Sequence, residues 1–259
     1  MTTILIGTSG YSYKDWVGPF YPPGTKPSNF LAYYQREFNF TELNFSYYRQ
    51  PDPAALDRMV KSTGEHFQFA IKATKGITHD GPAGCEKEAE QFIENIKPLV
   101  NSKKLAAVLL QFPFSFHYTT ASRRQLASIC QLFEGLPLAV EFRNREWQKE
   151  SVYAGLKSFH ACFTNVDLPA LKGLPVAKSV VTAPLSYVRF HGRNIETWWS
   201  GNNTTRYDYL YNDQELREWV PHIRSMMESS RKVIIAFNNH WNAQAIKNAK
   251  SMAGMLDLG

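Results

Sequence analysis

The sequence has few cysteines and no long hydrophobic run, and each shortage argues against a class of protein. None of its apolar stretches approaches the roughly 20 residues that a helix needs to cross a bilayer. Its three cysteines, Cys85, Cys130 and Cys162, are an odd number and form no CxxC motif, so we expect reduced, packed thiols rather than a disulfide framework. The first apolar run ends at Gly7 and follows no cationic leader. We therefore expect a cytoplasmic protein without a membrane segment.

Linkers and glycine-rich nucleotide motifs are also missing. No Ser/Gly run, charge block or low-complexity stretch divides the 259 residues, so we expect a single domain over residues 1–259. No GxGxxG or GxxxxGK motif follows the first strand-like run. The net charge of +6 favours anionic partners. Because the basic residues are scattered, the charge permits a nucleic-acid partner without requiring one.

Eight short runs rich in β-branched, aromatic and aliphatic residues follow one another along the chain and indicate strands. They begin at Ile4, Phe40, Phe67, Leu105, Leu136, Ala161, Ser186 and Lys232. The gaps between most neighbours leave room for one helix, as in repeated βαβ units. The pattern predicts an α/β fold, a single closed (β/α)₈ TIM-type barrel, with an open doubly wound sheet as the alternative.

Helical periodicity fills most of the gaps between these runs. Apolar spacing predicts one continuous helix over residues 89–100. Asn212 and Glu215 form an N-cap pair for a later helix, and Pro221 should kink or delay that helix. The alternation is weakest between residues 167 and 186, where the sequence predicts only a stunted helix.

Polar or ionisable side chains stand at the C-terminal end of every strand-like run. In α/β barrels this end carries the working face, and residues two apart on a strand face the same way. The candidates, in chain order, are Ser9, Tyr11, Glu42, Asn44, Lys72, Gln111, Glu141, Arg143, Asp167, Arg189, His191, Asn238 and Asn239. Chance would not place such groups at one end of all eight runs. We therefore expect a polar pocket whose buried charges are paired or wet.

A long aromatic loop follows the seventh strand-like run. Residues 193–211 contain Trp198, Trp199, Tyr207, Tyr209 and Tyr211. Loops longer than about 12–15 residues in compact domains are commonly functional lids. The composition is compatible with a lid that stacks on a sugar or base, and equally with a hydrophobic plug or a dimer contact.

The favoured hypothesis is an enzyme that binds a small anionic ligand, phosphorylated sugar-like or nucleotide-like in character. Arg143 and Arg189 would clamp the anion, with Lys72 as an added point charge. The candidate acid–base residues for hydrolase or lyase chemistry are Glu141, Glu42, Asp167 and His191. Further ligand contacts would come from Ser9, Tyr11, Asn44, Gln111, Asn238 and Asn239, with Trp16 and Trp147 as stacking walls. Any single Arg or Glu could instead belong to a structural ion pair, and Asp167 could cap a turn.

Two other classes of function stay open. A metal-dependent nuclease or DNA-repair protein, analogous to apurinic endonuclease barrels, would use ligands from His79, His191, His240, Glu42, Glu141 and Asp167. No HxH, HxxxH or DxH pair seeds such a cluster, so a divalent metal is possible but no cofactor is favoured. A non-catalytic nucleic-acid or metabolite binder is the other class. We discount a glycosidase, because the fourth and seventh strands carry Gln111 and Arg189 instead of paired carboxylates.

Seven motifs, in order, resemble those of the YecE-like family, the domain-of-unknown-function family 72. They are GTSGYSYKDWVGPFYP (7–22), ELNFSYY (42–48), FAIKATKGITHD (69–80), QFP (111–113), VEFRNREW (140–147), YVRFHGRN (187–194) and FNNHWNAQA (237–245). Together they span essentially the whole chain. The resemblance implies a TIM-type barrel and supplies no catalytic residues, so the site prediction rests on the residues themselves.

Overall fold

A computed structural model describes residues 2–81, 83–202 and 204–258, and these form a closed barrel of eight parallel strands. The strands are β1 (Thr3–Ser9), β2 (Phe40–Leu43), β3 (Gln68–Lys72), β4 (Leu105–Phe112), β5 (Leu138–Phe142), β6 (Cys162–Asp167), β7 (Leu185–Phe190) and β8 (Lys232–Phe237). Each strand pairs with the next, and β8 pairs with β1. The predicted (β/α)₈ barrel is confirmed and the open-sheet alternative is wrong.

Helices surround the barrel. They are α1 (Phe30–Tyr34), α2 (Pro53–Lys61), α3 (Lys75–Thr78), α4 (Cys85–Asn95), α5 (Lys97–Asn101), α6 (Thr120–Leu132), α7 (Glu150–Ser158), α8 (Asp213–Ser229) and α9 (Gln244–Met255). Residues 168–184, between β6 and β7, contain no helix, and this is where the sequence pattern is weakest. Within the described residues, no helix combines the length and hydropathy needed to cross a membrane.

The helix predicted over residues 89–100 is two helices in the structure. Ile96 lies between them, as the C-cap of α4 and the N-cap of α5, and Pro98 lies in the first turn of α5. A proline is tolerated in a first turn because the N–H group it lacks has no helical partner there. The last predicted core position, Val100, is 36% exposed.

The capping box predicted for α8 is present, but the predicted delay is wrong. The side chain of Asn212 accepts from the Glu215 backbone N–H, and the Glu215 side chain accepts in return from the Asn212 backbone. Pro221 lies inside α8, which runs without interruption from Asp213 to Ser229.

Side chains that point into the barrel form an apolar plug beneath a polar layer. Inward positions alternate along each strand, so residues two apart share the interior. The buried apolar cluster in the barrel includes Phe40 of β2, Ala139 of β5 and Tyr187 of β7. Two residues further along these strands stand Glu42, Glu141 and Arg189, all buried. The plug therefore supplies a dry floor on which the charged residues of the site rest.

Candidate functional site

The floor of the site is an ion-paired cluster of Glu42, Glu141, Tyr187 and Arg189, which we call the buried cluster. Arg189 donates from Nε and Nη2 to the two oxygens of Glu42 at 2.8 and 2.6 Å, and from Nη1 to Glu141 Oε2 at 2.6 Å. Tyr187 Oη donates to Glu42 Oε2 at 2.6 Å. Burial opposes ionisation of Glu141, but Arg189 and Arg143 outweigh it and hold the pKa of this carboxyl well below its usual range.

Arg143 stands above this cluster with part of its guanidinium group unused. Its Nε donates to Glu141 Oε1, and its Nη2 lies 3.4 Å from Nδ1 of His191. Its guanidinium carbon lies 5.7 Å from the ring centre of Trp198. No hydrogen bond from Nη1 to any described residue is present. Arg143 is therefore fixed along one edge and presents N–H donors to the space above.

His191 helps to hold that arrangement as a neutral side chain. Burial and the charge of Arg143 lower its pKa to about 3. Because Asn238 Nδ2, at 3.1 Å, and Arg143 Nη2 both approach Nδ1 as donors, Nδ1 is the acceptor and the proton is on Nε2. Nε2 faces Glu141 Oε1 at 3.3 Å without reaching hydrogen-bond geometry. The ring therefore orients Arg143 from below.

Lys72, the last residue of β3, contributes a cation without a carboxylate partner. Its Nζ donates to Gln111 Oε1 at 2.7 Å and lies 4.2 Å from the ring centre of Tyr47. No ion pair joins it to an Asp or Glu among the described residues. Burial and the charges of Arg189 and Arg143 lower its pKa to about 7.

These groups lie at the bottom of a cavity of about 520 Å³, a size that suits a small-molecule ligand. Its floor holds Lys72, Arg143 and Arg189, and amide side chains join them. Its wall and mouth are largely aromatic: Tyr13, Phe45, Tyr47, Tyr48, His79, Phe114, Trp198, Trp199, Tyr207 and His240. Asn44 also lines it, and its Oδ1 is buried without a partner among the described residues. The cavity thus combines a cationic floor with an aromatic rim.

The aromatic loop of residues 193–211 covers one side of this cavity, and Asp167 holds both of its ends. At the start of the loop, Arg193 donates to Asp167 from Nη2 at 2.7 Å. At its end, Tyr211 Oη donates to Asp167 at 2.6 Å. Trp219 of α8 donates to the same carboxylate at 2.6 Å. Gly192 precedes the loop with a φ of +87°, and a Cβ there would lie 2.8 Å from Tyr209, so this turn requires glycine.

The structure separates the sequence-predicted site residues into three groups by position. Those that line the cavity are Asn44, Lys72, Gln111, Arg143, Arg189 and Asn238. Those buried beneath it, in contact with these arginines, are Ser9, Glu42, Glu141 and His191. Those that do not line it are Tyr11, Trp16, Trp147, Asp167 and Asn239.

The two tryptophans predicted as stacking walls pack in the core. Trp16 is fully buried and donates from Nε1 to the backbone oxygen of His240 at 2.7 Å. Trp147 stacks between Phe116 and Phe142, with ring centres 5.0 and 4.5 Å away. Neither side chain faces the cavity, and the indole N–H of each is satisfied by a backbone oxygen, that of Trp147 by Phe116 at 2.6 Å.

Sequence reasoning missed several residues that the fold brings to the site. Tyr47 and Phe114 line the cavity from loops after β2 and β4, and Arg206 lines it from the aromatic loop. Tyr187 belongs to the buried cluster, and its position two residues before Arg189 was a signal that it shares the barrel interior. Tyr47 and Phe114 gave no comparable signal, because the segments between strands have no fixed alternation from which a side chain's direction could be read.

The donor set for a metal ion is not assembled in the part of the chain that the structure describes. No three His, Cys, Asp or Glu side chains are grouped there so as to hold an ion. Glu42 and Glu141 direct their oxygens at guanidinium groups, and Asp167 accepts from Arg193, Tyr211 and Trp219. The metal-dependent alternative therefore gains no support from these residues.

Known proteins similar to this chain resemble it over nearly its whole length. The family model described as "Protein of unknown function DUF72" matches residues 5–259. The UPF0759 protein YunF of Bacillus subtilis (strain 168) is 32% identical over 271 residues, which cover 98% of this chain and 95% of that protein.

Solved structures agree with this match. A DUF72 family protein from Thermotoga maritima MSB8 superposes with a TM-score of 0.92 at 35% identity, covering 98% of this chain and 99% of that one. Another, from Enterococcus faecalis V583, superposes with a TM-score of 0.89 at 29% identity, covering 99% of this chain and 96% of that one. The resemblance read from the seven motifs is confirmed, and the chain belongs to the DUF72 family.

Proposed function

We propose that the cavity binds a small anionic ligand whose phosphate-like or carboxylate-like group contacts Arg143 and Lys72. One observation carries the proposal: the cationic groups of the site exceed its carboxylates. Glu42 and Glu141 are matched by Arg189 and Arg143, and Lys72 has no carboxylate partner among the described residues. An incoming anion would complete the charge balance without displacing an existing ion pair.

The two arginines then have different roles. Arg189 directs all three of its nitrogens at carboxylates and is 2% exposed, so it serves as a structural counter-ion beneath the ligand. Arg143 keeps Nη1 for the anion, while Glu141 and His191 fix its orientation. A guanidinium held in advance loses little conformational entropy on binding. The clamp predicted from two arginines thus becomes a clamp of one arginine and one lysine.

The aromatic rim favours a ligand that carries a planar or sugar-like portion beyond its anionic group. Trp199 is 54% exposed at the mouth and packs 4.9 Å from Phe114, edge to face. Aromatic faces of this kind stack on bases and on the apolar faces of sugars. The ligand class is therefore a phosphorylated sugar-like or nucleotide-like molecule.

We further propose that the protein is an enzyme of hydrolase or lyase type rather than a passive binder, acting in the cytoplasm as a single domain. The acid–base role predicted for Glu141 passes to Lys72 in this proposal. A carboxyl whose pKa is held well below its usual range accepts protons poorly near neutral pH. An amine with a pKa of about 7 exchanges protons readily there. The three cysteines are free and buried, as suits a reducing compartment.

Calorimetric titration with sulfate tests the anion site. We expect Arg143→Gln to weaken sulfate binding at least tenfold, because a charge-assisted contact contributes about 1.5–3 kcal/mol. Arg145→Gln is the matched control: it removes the same charge two residues away, from an exposed side chain that does not line the cavity. An equal loss of sulfate affinity in both variants would mean that sulfate responds to net charge and not to a specific site. Undiminished sulfate binding by Arg143→Gln would reject the proposed contact.

A further inference from the structure

Lys72, which is half-buried, differs in its partners from Lys104, which is buried. Lys104 donates to three oxygens, the backbone oxygens of Val60 and Thr63 and the Thr63 hydroxyl, at 2.9, 2.7 and 3.0 Å. Lys72 donates to a single neutral oxygen, that of Gln111. Lys104 therefore has a fully occupied ammonium group, whereas Lys72 keeps two positions on its nitrogen for the cavity.

The charges around Lys72 favour its neutral form. Burial has the largest effect on its pKa. Arg189 of β7 and Arg143, directly after β5, add to this effect because they oppose a third positive charge, whereas Glu42 and Glu141, already paired with these arginines, oppose them only in part. The neighbouring ionisable side chains of His79 and Tyr47 complete its surroundings, and burial together with Lys72 lowers the pKa of His79 to about 4. Because its pKa is lowered to about 7, Lys72 can lose its proton near neutral pH and then has a free lone pair.

Gln111 keeps that lone pair accessible. Its Nε2 donates to the backbone oxygen of Phe112 at 2.9 Å, which turns Oε1 toward Lys72. An amide oxygen accepts one N–H without stabilising an ammonium ion as a carboxylate would. The ring of Tyr47 bounds the amine on another side and lines the same cavity. The amine is thus oriented by one hydrogen bond in a pocket open to a ligand.

We propose that Lys72 is a nucleophile that forms an imine with the carbonyl carbon of a small anionic aldehyde or ketone. This deepens the proposed function and rests on it, because the anionic group of the substrate would bind Arg143. Desolvation beside other cations is a recognised way to activate a lysine for such chemistry.

The step balances without a further reactant. The lone pair of Nζ forms a C–N bond to the carbonyl carbon, and the π electrons of the C=O bond move to oxygen. The oxygen takes one proton from the nitrogen and one from solvent and leaves as water. The product is a protonated imine, whose positive charge lies in the cavity beside the bound anion. No oxidation or reduction occurs.

Reductive trapping tests this chemistry in the full-length protein. The protein is treated at pH 7 with cyanoborohydride and either glycolaldehyde or glycolaldehyde phosphate, which offer the same carbonyl without and with an anion. Peptide mass spectrometry then gives the labelling rate of each lysine. We expect Lys72 to be labelled at least about tenfold faster than surface lysines, whose amines are almost wholly protonated at this pH, and the phosphate to react faster than glycolaldehyde.

Three variants separate the possible results. Gln111→Glu places a carboxylate on the amine and should abolish the preferential labelling of Lys72, although the lysine remains. Lys72→Arg should leave only the background labelling of other lysines. Arg143→Gln should remove the advantage of glycolaldehyde phosphate over glycolaldehyde. This full pattern supports both the nucleophile and the anion site.

Other labelling results would reject either the nucleophile or the anion site separately. Labelling of Lys72 at the rate of surface lysines, in a protein that binds sulfate through Arg143, rejects the nucleophile and leaves the anion site standing. Fast labelling of Lys72 at equal rates by both aldehydes keeps the nucleophile and rejects an anionic substrate. Labelling that is unchanged by Gln111→Glu rejects the role assigned to the neutral amide.

Discussion

Arg189 and Arg143 both lie at the floor of the cavity beside the same carboxylate, yet Arg189 is enclosed in an ion-pair cluster and Arg143 is partly open to the cavity. Arg189 is 2% exposed and bonds to two carboxylates, whereas the Arg143 side chain is 12% exposed and bonds to one. A buried charge must be matched by its neighbours, and one at a cavity can leave part of its matching to a ligand. Both residues are arginines, so the difference between them lies in their exposure and in their number of carboxylate partners.

Removing a guanidinium from the dry cluster should have the largest effect. Arg189→Met leaves Glu42 buried with only Tyr187 as a donor, and we expect the free energy of unfolding to fall by about 3–5 kcal/mol. Urea-induced unfolding followed by circular dichroism measures this. Arg143→Met is the comparison variant and should cost less than half as much, because Glu141 keeps Arg189. Equal losses would show that Arg143 is as structural as Arg189.

Loss of the pair of Asp167 and Arg193 should have a smaller effect than loss of Arg189. The Arg193 side chain is 25% exposed, and Asp167 keeps Tyr211 and Trp219 when it is lost. We expect Arg193→Met to reduce the free energy of unfolding by about 1–2 kcal/mol, discounted for solvent screening. The same variant should speed proteolytic cleavage within residues 193–211. A stability loss without faster cleavage would mean that Arg193 does not hold the aromatic loop.

The last effect is on affinity instead of stability, and its dependence on pH distinguishes the lysine from the arginines. Sulfate keeps its charge from pH 6 to 9, while Lys72 loses its proton as the pH rises through its pKa of about 7. Sulfate binding above that pH must take up a proton, so affinity should fall as the pH rises, by up to about tenfold per pH unit. Lys72→Arg should flatten the profile, because arginine stays charged. A sloping profile in this variant would assign the titration to another group.

The sequence predicted the positions of the polar residues better than their partners. The strand pattern placed Glu42, Glu141 and Arg189 at the correct ends of their strands, because alternation is a local property. It could not show that Glu42 lies opposite Arg189, since these residues are 147 positions apart and meet only when β8 closes on β1. From the sequence alone, therefore, Arg189 could equally be a ligand-binding residue beside Arg143 or the partner of a buried carboxylate.

The aromatic residues show the same limit from another direction. Trp147 and Trp199 both follow the ends of strands, and the sequence alone does not show which of them can contact a ligand. Trp147 is buried against Phe142, whereas Trp199 is exposed at the mouth. The sequence analysis also missed the break at Ile96, because the helical spacing of apolar residues continues across it although the helix does not. Periodicity reports which faces are apolar, and burial then depends on long-range packing.

The attachment of both loop ends to Asp167 bears on how this loop can move. A loop fixed by Arg193 at one end and Tyr211 at the other has no free hinge at either foot. Trp199 and Tyr207, which line the cavity, therefore lie between two fixed points of the chain. Any displacement of these side chains would bend the segment between its two attachments instead of swinging it about a hinge at one end.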